Sequence, residues 1–190
     1  LSQLYKKSKE SVFLIYNQNH ENISQGTGFL ISESGIGVSN YHVFEGNLIG
    51  KELLIMNDGS EHKIDYVIEK NKELDYIIFK IRGESKFPFV TISESIPEIG
   101  ESVFTIGNPE GLTQTLSDGI VSAYRAGDDL IQTTTEITHG SSGGPLFNMK
   151  GEVVGITSSG RGEANLNFAI NILKLRLNRD FSDMKMRDKY

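Results

Sequence analysis

Thr138-His139-Gly140-Ser141-Ser142-Gly143-Gly144-Pro145 crowds small residues onto one loop just ahead of the apolar run Leu146-Phe147. Small residues let a chain bend tightly, so a serine hydroxyl can stand exposed while successive backbone N–H groups converge on the same space. Converging N–H groups are what the oxyanion of an acyl-transfer intermediate needs. Ser142 is the nucleophile that such a loop would present. Glycine–serine clusters are more often plain flexible loops, so the reading depends on a base and an orienting acid found elsewhere in the chain.

Around that loop the chain reads as β. At 190 residues it is long enough to bury a real core, as one large domain or two small, closely packed halves. Its 37% hydrophobic content, 20 glycines and only 4 prolines fit a globular chain rich in turns. Without cysteine there is no disulfide scaffold, thiolate metal site or cysteine nucleophile, although this leaves the compartment open, cytoplasmic or extracytoplasmic. A net charge of −6 gives no counterion-release pull toward a polyanion, so nucleic acid is not expected as a partner. No apolar run approaches the ~20 residues of a membrane span, and Leu1 to Glu10 lacks a signal-peptide core. Because the chain begins at Leu1 rather than Met, removal of an upstream segment is left open as an expectation.

Taken in order, residues 1–11 suggest a short polar helix. Strands are expected at 12–16, 28–31, 38–43, 53–56, 61–64, 65–68 and 76–81, with Asn57-Asp58-Gly59 turning one hairpin. These make a first barrel over 12–85. Residues 86–100, holding Pro88 and Pro97, read as a linker. A second set over 101–171 places strands at 102–106, 116–123, 130–133, 145–147, 153–157 and 167–170, with Asn148-Met149-Lys150-Gly151 as a hairpin turn. Leu173, Leu175 and Leu177 among charges are read as a closing helix, with 172–190 as helix and tail.

Two β halves imply a cleft between them. The first half offers it two groups: His42, where a strand gives way to a turn, and Asp75, just before the apolar Tyr76-Ile77-Ile78-Phe79. Scaffold ends of this kind can aim side chains into a groove. The order His, Asp, Ser is one of several convergent orders for a catalytic triad. Asp58 and Asp65 are the rival acids, but both sit in or beside the hairpin.

The span from Gly26 to Ile172 resembles the protease domain of the HtrA/Deg group of trypsin-like serine proteases. The resemblance is carried, in family order, by Gly26-Thr27-Gly28-Phe29-Leu30-Ile31 with Ser39-Asn40-Tyr41-His42-Val43, by Leu74-Asp75-Tyr76-Ile77-Ile78, by Ile106-Gly107-Asn108-Pro109-Glu110-Gly111-Leu112, by Gly119-Ile120-Val121-Ser122-Ala123, by Ile131-Gln132-Thr133, and by Gly140-Ser141-Ser142-Gly143-Gly144-Pro145-Leu146 with Gly151-Glu152-Val153-Val154-Gly155-Ile156. It implies an all-β fold of two six-stranded antiparallel barrels with short terminal helices. It also implies a serine endopeptidase in which Ser142 is nucleophile, His42 base and Asp75 orienting acid. Gly140, Ser141 and Ser142 would then supply the oxyanion hole. Ile137, Thr138, His139 and the strand Gly155-Ile156-Thr157-Ser158 would contact substrate, favouring a small aliphatic residue before the scissile bond because no counter-charge is visible.

Several positions depart from the family pattern. Ser141 stands where digestive relatives carry the aspartate that pairs with a newly cut N-terminus, and where HtrA relatives usually carry asparagine, so activity without N-terminal processing is expected. His139 is unusual there; it could bind an acidic substrate group or lend the loop pH sensitivity. Tyr124 to Asp129 is short where regulated relatives carry a sensor loop, and no PDZ domain is expected before Tyr190. His20 and His62 have no metal-ligand spacing, so neither metal nor cofactor is expected. The partners are polypeptide substrates, and oligomerisation is left open. A catalytically silent binding module on the same fold and a chaperone-like binder of unfolded chains remain as alternatives.

Overall fold

The computed structural model describes residues 1–18, 23–47, 51–83, 86–108, 114–158, 166–175 and 177. His20, the motif residues Pro109 to Leu112 and the tail from 178 lie outside them. Helix α1 (Ser2–Ser8) and a single 3-10 turn (Lys9–Ser11) lead into seven strands: β1 Val12–Gln18, β2 Ile23–Leu30, β3 Ile36–Ser39, β4 Leu53–Ile55, β5 Glu61–His62, β6 Ile64–Asn71 and β7 Tyr76–Ile81. They form one antiparallel sheet in the order β5-β4-β1-β2-β3-β7-β6. Its two end strands are separated in the chain by Lys63 alone, so the sheet has to curl until its edges meet at one corner. Counted as one bent strand, Glu61–Asn71 gives the expected six. At that corner, however, the barrel is joined through the chain itself rather than by a ladder among the described residues, so it is less than fully closed. Phe79 fills its interior, with Phe13 and Phe44 packed edge-on at 6.3 and 5.6 Å.

The second sheet contains β8 Thr91–Ile92, β9 Ser102–Gly107, β10 Thr115–Arg125, β11 Leu130–Thr133, β12 Pro145–Asn148, β13 Glu152–Ser158 and β14 Asn167–Asn171. Here the ladder β12-β9-β10-β11-β14-β13 is closed by β12 pairing back onto β13, giving a complete six-stranded barrel. All six residues from Val153 to Ser158 on β13 are buried. Val153 and Ile156 join an apolar seam shared by both sheets, with Val12, Phe29, Val38 and Ile78 from the first and Phe104, Ile106 and Phe147 from the second. Val154 instead faces the second barrel's own core. At about 1.5–3 kcal/mol for each large apolar side chain buried, this seam holds the two halves in one fixed relation.

Three expectations need correction. The supposed linker contains β8, whose Thr91 and Ile92 lie parallel to Glu152 and Val153. Two residues, one exposed and one half-buried, give too little period for a strand to be read there. The strand placed at 38–43 ends at Ser39, because Tyr41 N–H and Asn40 Nδ2 both donate to Asp75 O and turn the chain toward the acid. The closing helix is a single 3-10 turn, Ile172–Lys174, after which Leu175 is extended. With three residues per turn, Ile172 and Leu175 fall on one side and are buried, leaving Leu173 exposed.

Candidate active site

His42 is carried on the turn after β3. Just ahead of β7, Asp75 adopts φ 61°, a left-handed conformation that aspartate tolerates better than most residues. That conformation turns its carboxylate back on the histidine. Oδ1 accepts from His42 N–H at 2.8 Å, and Oδ2 lies 2.8 Å from His42 Nδ1. A carboxylate only accepts, so Nδ1 carries the proton in this bond and Nε2 is left as the basic nitrogen. Ser158 Oγ donates to the same Oδ2 at 3.4 Å, from the end of β13 in the other sheet. Asp75 is 6% exposed, so its charge is held by fixed donors rather than by water.

Ser142 sits on the loop between β11 and β12, where the first sheet grips it: its carbonyl accepts from Thr27 N–H at 2.8 Å. The preceding turn closes with Ser141 N–H donating to Thr138 O at 3.0 Å, and Gly140 takes φ 89°. Left-handed φ at the third position of such a turn is the type II arrangement, for which glycine is suited. His42, Val43, His139, Gly140 and Ser142 line one open cleft of about 330 Å³ together with Ser24 and Gln25. A larger hollow of about 640 Å³ lies elsewhere, against Ser95 to Ser102 and Asn148 to Lys150, and contains no histidine to serve as base.

Gly143 shows how tightly the loop is held. A Cβ there would lie 2.2 Å from both Ser39 Oγ and Thr27 O, at φ 88°. Gly143→Ala is therefore expected to cost about 3 kcal/mol or more through overpacking and a disfavoured backbone. The measurement is the urea midpoint; a variant as stable as the parent would mean that the loop does not rest on the first sheet as described.

The family model of the trypsin-like peptidase domain matches residues 26–156, which contain His42, Asp75 and Ser142. The chain belongs to the trypsin-like peptidase family. It is 37% identical over 158 residues to a probable periplasmic serine endoprotease DegP-like of Chlamydia trachomatis, covering 77% of this chain and 31% of that one. It is also 36% identical over 167 residues to the serine protease HTRA1 of Xenopus laevis, covering 80% and 35%. A crystal structure of the serine endoprotease from Yersinia pestis superposes with a TM-score of 0.79 at 28% identity, covering 90% of this chain and 61% of that chain. The peptidase domain is thus of the HtrA/Deg kind, and the chain spans about a third of the length of these curated relatives.

Within this trypsin-like domain the expected site residues divide. His42, His139, Gly140 and Ser142 share the cleft. Ile137 is buried nearby in the chain, while Thr138 and His139 are exposed. Of the three amides expected at the oxyanion, that of Ser141 is engaged within the turn, donating to Thr138 O at 3.0 Å. Ile156 points into the shared apolar seam. Thr157 donates its N–H to Gly144 O and accepts from Gly143 N–H, both at 2.8 Å, and its hydroxyl donates to Ser141 O, so it braces the serine loop from behind. Gly155 pairs with Leu146 and Asn171 on either side. Ser158, expected to touch substrate, bonds through its hydroxyl to the acid, Asp75. Two buried residues were missed altogether, Thr27 and Asn108. Each lies inside a quoted motif, but neither carries a chemical signature of its own.

Proposed function

We propose that this chain is a serine endopeptidase that cleaves peptide bonds through an acyl-enzyme. The observation that carries the reading is the 2.8 Å bond between His42 Nδ1 and Asp75 Oδ2 at a cleft that Ser142 shares. Ser142 Oγ attacks the carbonyl carbon and its proton passes to His42 Nε2. The carbonyl π electrons move to oxygen, where the N–H groups of Gly140 and Ser142 receive the charge. Collapse breaks the C–N bond as His42 returns the proton to the departing amine. Water then repeats the sequence on the ester, releasing the acid and restoring Ser142. Asp75 remains ionised throughout and stabilises the imidazolium.

The left-handed Gly140 supports an oxyanion site formed without an N-terminal ion pair, in keeping with Ser141 at the place of an aspartate. Full-length and N-terminally processed chains are therefore expected to have equal kcat. Flexible or unfolded polypeptides are the proposed substrates, since the scissile segment must lie extended in an open cleft. Cleavage of casein, lost in Ser142→Ala, tests this; casein left intact by a chain that still binds it would favour a binding module.

The primary pocket is proposed to take a small aliphatic residue, with Ile137 among its walls. A Val substrate is expected to exceed its Arg counterpart in kcat/KM by at least about tenfold, since an unpaired buried charge is costly. A preference for Arg in paired chromogenic peptides would overturn it.

A further inference from the structure

Thr27 lies on β2 in the first sheet, 113 residues from Gly140 in sequence, and is fully buried. Three of its groups reach the serine loop or its support. Its N–H donates to Ser142 O at 2.8 Å, its hydroxyl bonds to Gly140 O at 2.7 Å, and its carbonyl accepts from Ser39 Oγ at 2.7 Å. The residues it clamps are the two whose amides are assigned to the oxyanion.

The direction of the hydroxyl bond is fixed by its neighbours. Asn108 N–H and Asn108 Nδ2 both donate to Thr27 Oγ1, at 3.0 and 3.2 Å. Those two donors occupy the oxygen's lone pairs, so its one proton is directed to Gly140 O. Asn108 cannot flip its amide without loss: Oδ1 accepts from Gln114 N–H at 3.0 Å, while Nδ2 also donates to Phe13 O at 3.2 Å. Gln114 is itself held, its carbonyl accepting from Tyr5 OH at 2.9 Å and its side chain donating to Lys9 O. A satisfied chain of bonds thus runs from the N-terminal helix, through a buried asparagine, to the oxyanion turn. Polar chains of this kind specify one arrangement because each member left unpaired would be costly.

We propose that Thr27 is a positioning residue for the oxyanion site, its hydroxyl holding the Gly140 turn in register with Ser142 where digestive relatives use a charged N-terminus. The inference rests on the endopeptidase reading. The hydroxyl holds the Gly140–Ser141 peptide from its oxygen while Thr138 O holds it from its N–H, so that peptide plane is fixed at both ends. Without the hydroxyl only the inner bond of the turn remains, and the turn can shift relative to the nucleophile.

The test is steady-state kinetics on a peptide ester and amide with Thr27→Val, isosteric but lacking the hydroxyl, and Thr27→Ser, which keeps it. Displacement of a few tenths of an ångström at an oxyanion donor is expected to lower kcat about 10- to 100-fold in Thr27→Val, with KM within about threefold of the parent and Thr27→Ser close to the parent. Affinity for a peptide boronate, whose tetrahedral adduct needs the same site, should fall with kcat, whereas affinity for an uncleaved peptide should not. Thr27→Ala is the second hydroxyl-less variant if the valine chain does not fold. Parental kcat in Thr27→Val, or a Thr27→Ser loss as large as that of Thr27→Val, would overturn the positioning role while leaving the endopeptidase reading intact. A parent chain that neither turns over substrate nor labels at Ser142 would remove both.

Discussion

Ser142→Ala is expected to lower kcat by about a million-fold, with KM for peptide substrates little changed. The hydroxyl is the group that forms the acyl bond in the proposed mechanism, and removing it leaves only water as nucleophile. His42→Ala should fall almost as far, because an unassisted serine hydroxyl is a weak nucleophile at neutral pH. The double variant should be no worse than either single one: residues acting as a unit lose their joint contribution once. Progress curves at high enzyme concentration, with the parent calibrated by active-site titration, measure all three. Losses that multiplied in the double variant would mean that His42 and Ser142 act separately.

Asp75→Asn is the second large effect, a fall in kcat of about ten-thousand-fold. Its geometry supplies the reason. Oδ2 accepts from His42 Nδ1 at 2.8 Å and from Ser158 Oγ at 3.4 Å, while Oδ1 accepts from His42 N–H at 2.8 Å. An amide cannot accept at every one of these contacts. If its NH2 faces Nδ1, the ring must carry its proton on Nε2, where the base is needed. The fold should survive, since asparagine also tolerates the left-handed φ of 61° seen here. Circular dichroism and the urea midpoint check this against kcat. Near-parental activity in a folded Asp75→Asn would show that the carboxylate does not set the tautomer.

These groups were legible in the sequence because each carries its chemistry in its own identity: a serine among glycines, a histidine at a strand end, an acid ahead of an apolar strand. The hairpins at Asn57–Gly59 and Asn148–Gly151 were legible too, because turn chemistry is local; Gly59 and Gly151 each donate back to the residue that opens the turn. What lay hidden was non-local. Thr27 is an ordinary strand residue until the fold brings Gly140 and Asn108 against its hydroxyl across 113 and 81 positions respectively. Ser158 was named only through the family resemblance, and its hydroxyl bonds to Asp75 from 83 residues away. The terminal leucines misled for a related reason. Leu173, Leu175 and Leu177 alternate, but the buried pair is Ile172 and Leu175, selected by the one seam they can reach.

The central claim is that two separately folded sheets deliver a base, its acid and a nucleophile to one seam. Its most direct measurement is the rate of fluorophosphonate labelling in the parent, His42→Ala and Asp75→Asn chains, with the modified peptide located by mass spectrometry. The expected result is rapid single labelling at Ser142 in the parent, slowed by orders of magnitude in both variants. Modification at another residue, or an unchanged rate at Ser142 without His42, would contradict it.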